Sequence, residues 1–197
     1  MSKAEMSKET EPNHPFLTDI KEIRRRAREH IEKGAVTAGY RANRDVVLRL
    51  LNEALATELV CILRYKRHYF MATGLNAQAV AGEFLQHSVE EQDHADQIAA
   101  RITQLCGEPD FNPEGLAMRS HAEYVPGDGL LSMIKEDLVA ERIAIESYSD
   151  MIRYIGDSDP TTRRMLEAIL AVEEEHAEDM KTLIESLGRD RGAGNQS

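Results

Sequence analysis

The feature that most constrains the fold is a pattern of charged residues that occurs twice on otherwise apolar helical faces. Glu58 is followed 33 residues later by a Glu-x-x-His tetrapeptide at 91–94, and Glu141 is followed 32 residues later by another at 173–176. Each charged residue takes the place of an apolar one in a stripe with steps of three or four residues, the spacing of a helix face. The sequence therefore predicts two similar halves that each bring three ligand-type side chains into a core.

Glycines, prolines and capping residues predict four long helices with one short helix before them. An Asn, Asp, Ser or Thr side chain at a helix start accepts a hydrogen bond from a free backbone N–H, and glycine commonly follows the last turn. Proline is favoured at the first helical position, where its missing N–H has no cost. We expect a short helix from Thr18 to Gly34 and long helices from Asn43 or Asp45 to Gly74, from Asn76 to Gly107, from Asp128 to Gly156, and from Asp159, with Pro160 first, to Gly188.

The connections between the long helices predict the topology. The first and third are short, whereas the second is long and contains Pro109, Pro113 and Pro126. Short loops join antiparallel neighbours, and a connection of about twenty residues can carry the chain along the length of a bundle. We expect an all-α protein, an antiparallel four-helix bundle with a long crossover between helices two and three and a short N-terminal helix. The predicted domains are an N-terminal extension at 1–44, the bundle at 45–187 and a flexible tail at 188–197.

Composition limits the classes of protein to which the chain can belong. Its 197 residues suit one domain, its formal net charge is −11, and it contains two cysteines and no tryptophan. No stretch approaches the roughly 18 uncharged residues of a membrane span, and the polar N-terminus has no apolar signal segment. We expect a soluble, cytoplasmic protein with no membrane contact, in which Cys61 and Cys106 are reduced, buried thiols. The acidic character disfavours nucleic acid as a partner and suits a protein that collects cations.

The polar residues on the apolar stripes predict a site for two metal ions. Residues three apart on a helix point to the same side, so each Glu-x-x-His pair can hold one ion. Four buried carboxylates without counter-charges would cost several kcal/mol each or would stay protonated. Two divalent cations balance the four negative charges, whereas the alternative interpretation is a metal-free salt-bridge network or a solvated face. The candidate ligands are Glu58, Glu91, His94, Glu141, Glu173 and His176.

The segments that carry these residues resemble the ferritin-like di-iron carboxylate family. They are LNEALATELVCILRYKRHYF, SVEEQDHADQIAARI, EDLVAERIAIESY and AVEEEHAEDM, and the resemblance spans residues 45–187. Within the family, the chain is most similar to bacterioferritins and to the bacterioferritin-like, Dps-like mini-ferritins. The resemblance implies two iron ions in each subunit, with manganese or zinc as alternatives. It implies Glu58 and Glu141 as terminal ligands, Glu91 and Glu173 as bridging ligands, and His94 and His176 as the imidazole ligands.

The resemblance also implies an activity. Two Fe(II) ions held about 3.5–4 Å apart can together deliver two electrons to dioxygen or hydrogen peroxide. Such a protein is a ferroxidase that stores the oxidised iron in a hollow shell of subunits. Tyr65, seven residues after Glu58, is either a catalytic residue that supplies an extra electron or a core tyrosine bonded to a glutamate. Tyr148, seven residues after Glu141, is expected to be a core residue.

Two departures from the bacterioferritin pattern affect the cofactor and the assembly. Bacterioferritins carry a haem-ligating methionine directly after the bridging glutamate of the second helix, whereas this chain has Gln92, so haem is not expected. Large ferritin cages also use a short fifth helix, but this sequence ends in GRDRGAGNQS soon after the fourth. The resemblance therefore implies a homododecamer, with a dimer as the second choice.

Two other functions remain open. The same bundle and Glu-x-x-His spacing occur in peroxide-consuming enzymes of the rubrerythrin and manganese catalase types. The chain lacks the CxxC pair that delivers electrons in rubrerythrins. A DNA-protecting shell of the Dps type is suggested only by the basic segment EIRRRAREH, which can contact phosphates. A solvated helix face or a subunit contact is the alternative interpretation of that segment.

Several polar residues near the stripes have alternative assignments. Cys61, three residues after Glu58, either reaches the edge of the metal site or is an ordinary buried thiol. His68 is either a ligand for incoming iron or a hydrogen-bonded histidine. The sequence indicates no partner for His30, His87 or His121, and it predicts that Glu90, Glu174 and Glu175 face solvent.

Overall fold

The structure, a computed structural model, describes residues 19–74 and 77–193, the last five by their backbone alone. Every regular element in the described part of the chain is helical, which confirms the all-α prediction. The chain divides into two compact units after Gly39. The elements are α1 (Ile20–Arg26), a 3₁₀ turn (Ile31–Lys33), α2 (Arg44–Met71), α3 (Ala77–Gln104), α4 (Leu116–Arg119), α5 (Leu130–Ile155) and α6 (Pro160–Ala193).

The N-terminal unit contains a shorter helix than predicted. α1 begins after Asp19, whose side chain caps it, and ends at Arg26. The predicted start, Thr18, lies outside the described residues. His30 has a left-handed backbone conformation (φ 51°) directly before the 3₁₀ turn, so the prediction of one continuous helix to Gly34 is wrong. α1 buries no side chain. Because most helix stability in proteins comes from packing, a short helix that buries nothing is not stabilised enough to continue.

The second unit is an antiparallel four-helix bundle, as predicted. α2 packs along α3, α5 packs along α6, and the two hairpins meet through α2 with α5 and α3 with α6. Residues 105–129 connect the hairpins and contain α4, which lies against α2, so the long crossover is confirmed. Each long helix contributes fully buried apolar residues to the core, among them Leu51, Phe84, Ile134 and Leu166. No helix in the described residues has both the length and the apolar character of a membrane span.

Two of the predicted helix caps are confirmed. Asn43 precedes α2 and accepts a hydrogen bond from the backbone N–H of Val46 at 3.4 Å. Asp159 precedes α6 and accepts one from the backbone N–H of Thr162 at 3.0 Å, with Pro160 at the first helical position. Both caps satisfy backbone donors that a helix start would otherwise leave without a partner.

Two other predicted helix ends are wrong. α5 starts directly after Gly129, which makes no side-chain cap, so Asp128 is not its N-cap. α6 continues through Gly188 to Ala193, because one glycine costs a helix only about 1 kcal/mol and need not end it. The segment predicted as a flexible tail therefore begins as helix. The predicted cap at Asn76 lies outside the described residues.

A buried ionic cluster holds the crossover against α2. Arg64 Nε donates to Asp137 Oδ1 at 2.9 Å, and Arg64 Nη1 donates to the carbonyl of Glu123 in the crossover at 2.9 Å. His68 Nδ1 lies 2.8 Å from Asp137 Oδ2, and its Nε2 lies 3.0 Å from the carbonyl oxygen of Pro126. Both ring nitrogens of His68 are therefore engaged. This supports the hydrogen-bonded assignment of His68 and leaves it no nitrogen for incoming iron.

Candidate metal centre

Six polar side chains from the four long helices meet in the core of the bundle. α2 and α5 each contribute a lone glutamate, and α3 and α6 each contribute a Glu-x-x-His pair. All six are almost completely withdrawn from solvent. They are the candidate ligands of the sequence, Glu58, Glu91, His94, Glu141, Glu173 and His176.

The six residues form two overlapping groups. One group contains the lone glutamate of α2 and the histidine of α3, the other contains the lone glutamate of α5 and the histidine of α6, and Glu91 and Glu173 belong to both. Within each group, one ligand atom per residue lies within 4.8 Å of the others. Ligand bonds of about 2.0–2.2 Å place the ligands of one ion about 3–4 Å apart. Small side-chain movements would therefore close each group around an ion.

Glu91 and Glu173 each place one carboxylate oxygen near His94 and the other near His176. His94 Nδ1 lies 2.8 Å from Glu173 Oε1 and 3.2 Å from Glu91 Oε2. Glu58 Oε2 is 3.6 Å from the same nitrogen. His176 Nδ1 lies 3.7 Å from Glu91 Oε1 and 3.8 Å from Glu173 Oε2, with the lone glutamate of α5 at 3.9 Å. The arrangement suits two adjacent ions bridged by two carboxylates.

Several atoms of this cluster that could bind a metal ion are buried without a hydrogen bond. They are both carboxylate oxygens of Glu173, Oε1 of Glu91, Oε2 of Glu141 and Nδ1 of His176. Buried polar atoms in folded proteins are normally hydrogen-bonded, and buried charges are paired or bound to metal. A donor set of carboxylate oxygens and imidazole nitrogens fits Fe(II), Mn(II) or Zn(II). The residues present therefore fit a pair of divalent ions.

Without metal ions, burial favours the protonated form of three of the four carboxyl groups. Burial, followed by repulsion from Glu91, raises the pKa of Glu58 and of Glu173 well above the usual range. The same two causes raise the pKa of Glu141 to about 7. Burial also opposes the ionisation of Glu91, but its contacts with His176 and His94 outweigh burial and lower the pKa of this carboxyl.

The two imidazoles also hold protons more tightly than usual. Burial disfavours the charged form of His94, but close contacts with the surrounding carboxylates, Glu173 first, raise its pKa to about 12. Burial likewise opposes the charge on His176, and contacts led by Glu91 raise its pKa to about 9. Metal ligation needs neutral imidazoles and ionised carboxylates. Two divalent ions would therefore displace protons from this cluster.

Two buried tyrosines bond across the bundle to the lone glutamates. Tyr65 on α2 donates to Glu141 Oε1 on α5, and Tyr148 on α5 donates to Glu58 Oε1 on α2. Each lone glutamate keeps its other oxygen on the side of the histidines. Burial, followed by the charge of the bonded glutamate, raises the pKa of both tyrosines well above the usual value. Both hydroxyls are therefore protonated donors that orient a candidate ligand.

Glu90 is partly exposed and also contacts a candidate ligand, which the expectation that it faces solvent did not include. Its Oε2 lies 2.9 Å from His176 Nε2, and 37% of the side chain is exposed. An acceptor at Nε2 keeps the proton on that nitrogen and leaves Nδ1, which faces the carboxylates, as the ligand atom. The contact joins α3 to α6, and the pattern along one helix does not reveal it. Glu174 and Glu175 are exposed, as expected.

His87, to which the sequence assigned no partner, belongs to the same buried cluster. It is fully buried, its Nδ1 lies 3.2 Å from the Tyr65 hydroxyl, and its ring stacks on that of His176 with centres 3.9 Å apart. Burial, followed by the charge of His176, lowers the pKa of His87. A signal for this position was present, because Phe84, His87 and Glu91 continue one helical stripe in steps of three and four residues.

Cys61, Cys106 and Gln92 lie outside the candidate ligand groups of the described residues. Cys61 is buried 3.8 Å from a guanidinium nitrogen of Arg64 and belongs to none of the candidate ligand groups among the described residues, which supports the ordinary-thiol alternative. Cys106 is exposed, so its predicted burial is wrong; it follows the last turn of α3 in a left-handed conformation (φ 58°). Gln92 is exposed, and its amide donates to Asp96 at 3.0 Å.

The chain is similar to known ferritin-like proteins over most of its length. Residues 48–189 match the family described as the ferritin-like domain, and this range contains all six candidate ligands. The bacterioferritin of Desulfovibrio desulfuricans is 29% identical over 156 residues, which cover 77% of this chain and 83% of that protein. Bacterioferritin BfrA of Mycobacterium tuberculosis is 31% identical over 144 residues, which cover 73% and 86% of the two chains.

A solved structure supports the same relationship. It is described as a dodecameric thioferritin, the bacterioferritin-related protein from Bacteroides fragilis. It aligns with this chain with a TM-score of 0.75 and 28% identity, over 78% of this chain and 92% of that one. The similarity therefore extends over most of the length of that protein.

Proposed function

Because the chain belongs to the family of ferritin-like domains, we propose that it is a ferroxidase that oxidises Fe(II) at a dinuclear site within one subunit and stores the iron in an oligomeric shell. The observation that carries this proposal is that two buried ligand groups of one chain share Glu91 and Glu173. Two groups with two common carboxylates can hold two ions side by side. A reaction that transfers two electrons from two ferrous ions needs this proximity.

Each ion would have its own terminal ligands and would share the bridging pair. Two ferrous ions supply the two electrons that convert O2 and two protons into H2O2, or H2O2 and two protons into two water molecules. Four ionised carboxylates balance the charge of two divalent ions, so the occupied core is close to neutral. Manganese or zinc can use the same donor atoms. The proposed ligands are Glu58 and His94 for one ion, Glu141 and His176 for the other, and Glu91 and Glu173 for both.

The residues around these ligands hold them in position. The tyrosine hydroxyls occupy one oxygen of each lone glutamate and leave the other for a metal ion. Glu90 holds His176 with its ligand nitrogen toward the carboxylates. Partners of this kind commonly change metal affinity or activity by about 10–100-fold. The core therefore presents preoriented ligands to incoming ions.

We also propose that Tyr65 is a catalytic residue that supplies one electron when O2 and four protons are converted into two water molecules; the two ferrous ions of the site supply two of the four electrons, and a further Fe(II) supplies the fourth. Its hydroxyl bonds to Glu141 Oε1, so loss of the electron can be accompanied by transfer of the phenolic proton to that oxygen. His87 Nδ1 contacts the same hydroxyl oxygen and can still donate to it after the proton has left. Tyr148 has a bond to Glu58 but no contact with His87. This difference favours Tyr65 as the redox-active residue of the pair.

Storage requires a closed shell, and we propose that twelve subunits form it. The support is the similarity to the dodecameric bacterioferritin-related protein of Bacteroides fragilis. The alternative assembly, a dimer, would enclose no cavity and would favour a peroxide-consuming di-metal enzyme. Iron retention therefore distinguishes the two functions.

Light scattering combined with aerobic Fe(II) titration tests the proposal. We expect a mass near that of twelve subunits, ferric absorbance that develops on addition of Fe(II), and retention of far more than two irons per subunit. A small oligomer that saturates at two irons per subunit would contradict storage and support the peroxide-consuming alternative. Iron that binds without being oxidised would contradict the ferroxidase activity itself.

The DNA-binding alternative has little support from the basic segment. Arg25 and Arg26 form ion pairs with Glu22, and Arg25 also pairs with Glu29. Carboxylates of the same segment therefore compete with phosphates for these guanidinium groups. A salt-titrated DNA mobility-shift assay is expected to show no binding, and a shift that weakens steeply with salt would restore this alternative.

A further inference from the structure

A second cluster of ligand-type side chains lies beside the proposed dinuclear centre. Glu83, His87 and Asp179 each bring one ligand atom within 4.8 Å of the others. Glu83 and His87 are four residues apart on α3 and so share one face of the helix, whereas Asp179 comes from α6. His87 is fully buried, but 54% of the Asp179 side chain is exposed. The cluster therefore connects the buried core with solvent.

The hydrogen bonds of Tyr65 determine which nitrogen of His87 carries a proton. Tyr65 has one hydroxyl proton and donates it to Glu141 Oε1. Its oxygen can therefore only accept from His87 Nδ1, which lies 3.2 Å away. In the neutral imidazole, a proton on Nδ1 leaves a lone pair on Nε2. The Nε2 atom of His87 is thus prepared to act as a ligand.

The Nε2 atom of His87 is unsatisfied where it lies. It is buried without a hydrogen bond, and the nearest carboxylate oxygen, Asp179 Oδ2, is 3.4 Å away. A lone pair that faces a carboxylate oxygen is a repulsive contact, and a buried acceptor without a partner is costly. A cation between the two groups removes both costs. The nearby carboxylate of Glu83 provides a further ligand for it.

We propose that Glu83, His87 and Asp179 bind a third divalent metal ion outside the dinuclear centre. One imidazole nitrogen and two carboxylates suit Zn(II), Mn(II) or Fe(II), and water can complete the coordination. The His87 ring stacks on that of His176 with ring centres 3.9 Å apart. The histidine of the third site is therefore in contact with a proposed ligand of the dinuclear centre. Because Asp179 is 54% exposed and His87 is buried, an ion that enters from solvent can bind at this site before it reaches the dinuclear centre.

The third site does not depend on the proposed ferroxidase activity. None of its three residues is a proposed ligand of the dinuclear centre, and Zn(II), which does not change oxidation state, is a suitable probe. Equilibrium dialysis of the full-length protein against Zn(II), with the bound metal counted by elemental analysis, measures the number of ions. We expect three Zn(II) per subunit for the wild-type protein and two for the variant E83Q/D179N.

A matched control separates this site from general surface charge. The variant D93N/E175Q removes one carboxylate from α3 and one from α6 at exposed positions, and we expect it to keep three ions. Anomalous diffraction from crystals soaked in Zn(II) should place the third ion within bonding distance of His87 Nε2. A wild-type count of two, or an unchanged count in E83Q/D179N relative to the control, would overturn the proposal.

Two further results would distinguish the third site from the dinuclear centre. Loss of more than one ion in E83Q/D179N would show that these residues belong to the centre itself, which also overturns a separate third site. An unchanged ion count after Glu58→Ala with Glu141→Ala would instead contradict the dinuclear centre and leave the third site intact. The two proposals therefore fail in different experiments.

Discussion

The hydroxyl of Tyr65 on α2 donates a hydrogen bond to Glu141 on α5. The reciprocal bond joins Tyr148 on α5 to Glu58 on α2, so the two helices exchange the same pair of groups. The repeat in the sequence is thus also a repeat in space. It ends at His87, which contacts Tyr65 and has an apolar residue at the matching position of the other half. The two ends of the centre have similar ligands but different surroundings.

Tyr65→Phe should destabilise the metal-free protein more than Tyr148→Phe. Each substitution leaves one glutamate oxygen without its donor, which costs about 1–3 kcal/mol, but Tyr65→Phe also removes the partner of His87 Nδ1. Urea unfolding of both variants measures the difference. Equal losses would show that the contact with His87 contributes nothing.

The same pair of variants tests the electron-donor role. After Fe(II)-loaded protein is exposed to O2, electron paramagnetic resonance should detect a tyrosyl radical in the wild-type protein and in Tyr148→Phe. The signal should disappear in Tyr65→Phe, while the Zn(II) count stays the same. A radical that persists in Tyr65→Phe would assign the redox role elsewhere.

Glu58→Ala combined with Glu141→Ala should abolish iron oxidation without unfolding the metal-free protein. The double variant removes one terminal ligand from each ion, and we expect the initial rate of ferric absorbance to fall by more than about 100-fold, beyond the range typical of partners that only position a ligand. The metal-free fold should survive, because the substitutions remove two buried carboxyl groups that burial and repulsion from Glu91 make unfavourable. Glu174→Ala with Glu175→Ala, two exposed positions, is the matched control.

Glu90→Ala should weaken one of the two ions and spare the other. His176 is the proposed ligand that Glu90 contacts, and the other Glu90 oxygen accepts a hydrogen bond from Gln86. We therefore expect about 10–100-fold lower affinity for one ion of the dinuclear centre in a Zn(II) titration, the range typical of such partners. Calorimetric titration in the E83Q/D179N background, which lacks the proposed third site, resolves the two steps of the dinuclear centre. Glu174→Ala serves as the control, and equal weakening of both steps would contradict a specific action through His176.

The stability of the metal-free protein should fall as the pH rises from about 5 to 9. Glu141 has its pKa raised from 4.5 to about 7 and His176 from 6.5 to about 9. A raised pKa gives stability that is complete below the unfolded value and is lost as the pH passes the folded value. The lowered pKa of Glu91 affects only the range below 4.5. Thermal unfolding in the presence of a chelator tests this, and a rising Tm over this range would contradict it.

Metal binding should reverse that pH dependence. The ions require deprotonated ligands, so Zn(II) affinity should increase with pH up to about 9, and binding at pH 7 should release protons. Titration of Zn(II) into weakly buffered protein with a pH indicator measures the release. Binding without proton release would show that the cluster is already deprotonated and would contradict the raised pKa values.

Asp137→Asn should destabilise the bundle by about 3–5 kcal/mol, because it leaves the buried guanidinium of Arg64 without its carboxylate. Asp150→Asn removes a carboxylate from an exposed ion pair on the same helix and should change the unfolding free energy by less than about 0.5 kcal/mol. Chemical unfolding of both variants gives the comparison. Similar small effects would indicate that water reaches Arg64.

The sequence was sufficient for the features that depend on neighbours along one helix. Apolar stripes, the capping residues Asn43 and Asp159, and the lengths of the connections predicted the bundle and its crossover. Predictions failed at Gly188, where the helix continues despite the glycine, and at Glu90, which reaches a histidine on another helix. Helix ends depend on small energy differences that tertiary packing can exceed.

By itself, the sequence determined which six side chains can face one core, because helical periodicity and the spacing of the two repeats are properties of the chain. Only the tertiary structure decided how those side chains pair. The crossed bonds of Tyr65 and Tyr148, the hold of Glu90 on His176, and the inclusion of His87 join residues from different helices. Such contacts depend on the rotation and separation of packed helices, which the spacing of residues within one helix does not specify.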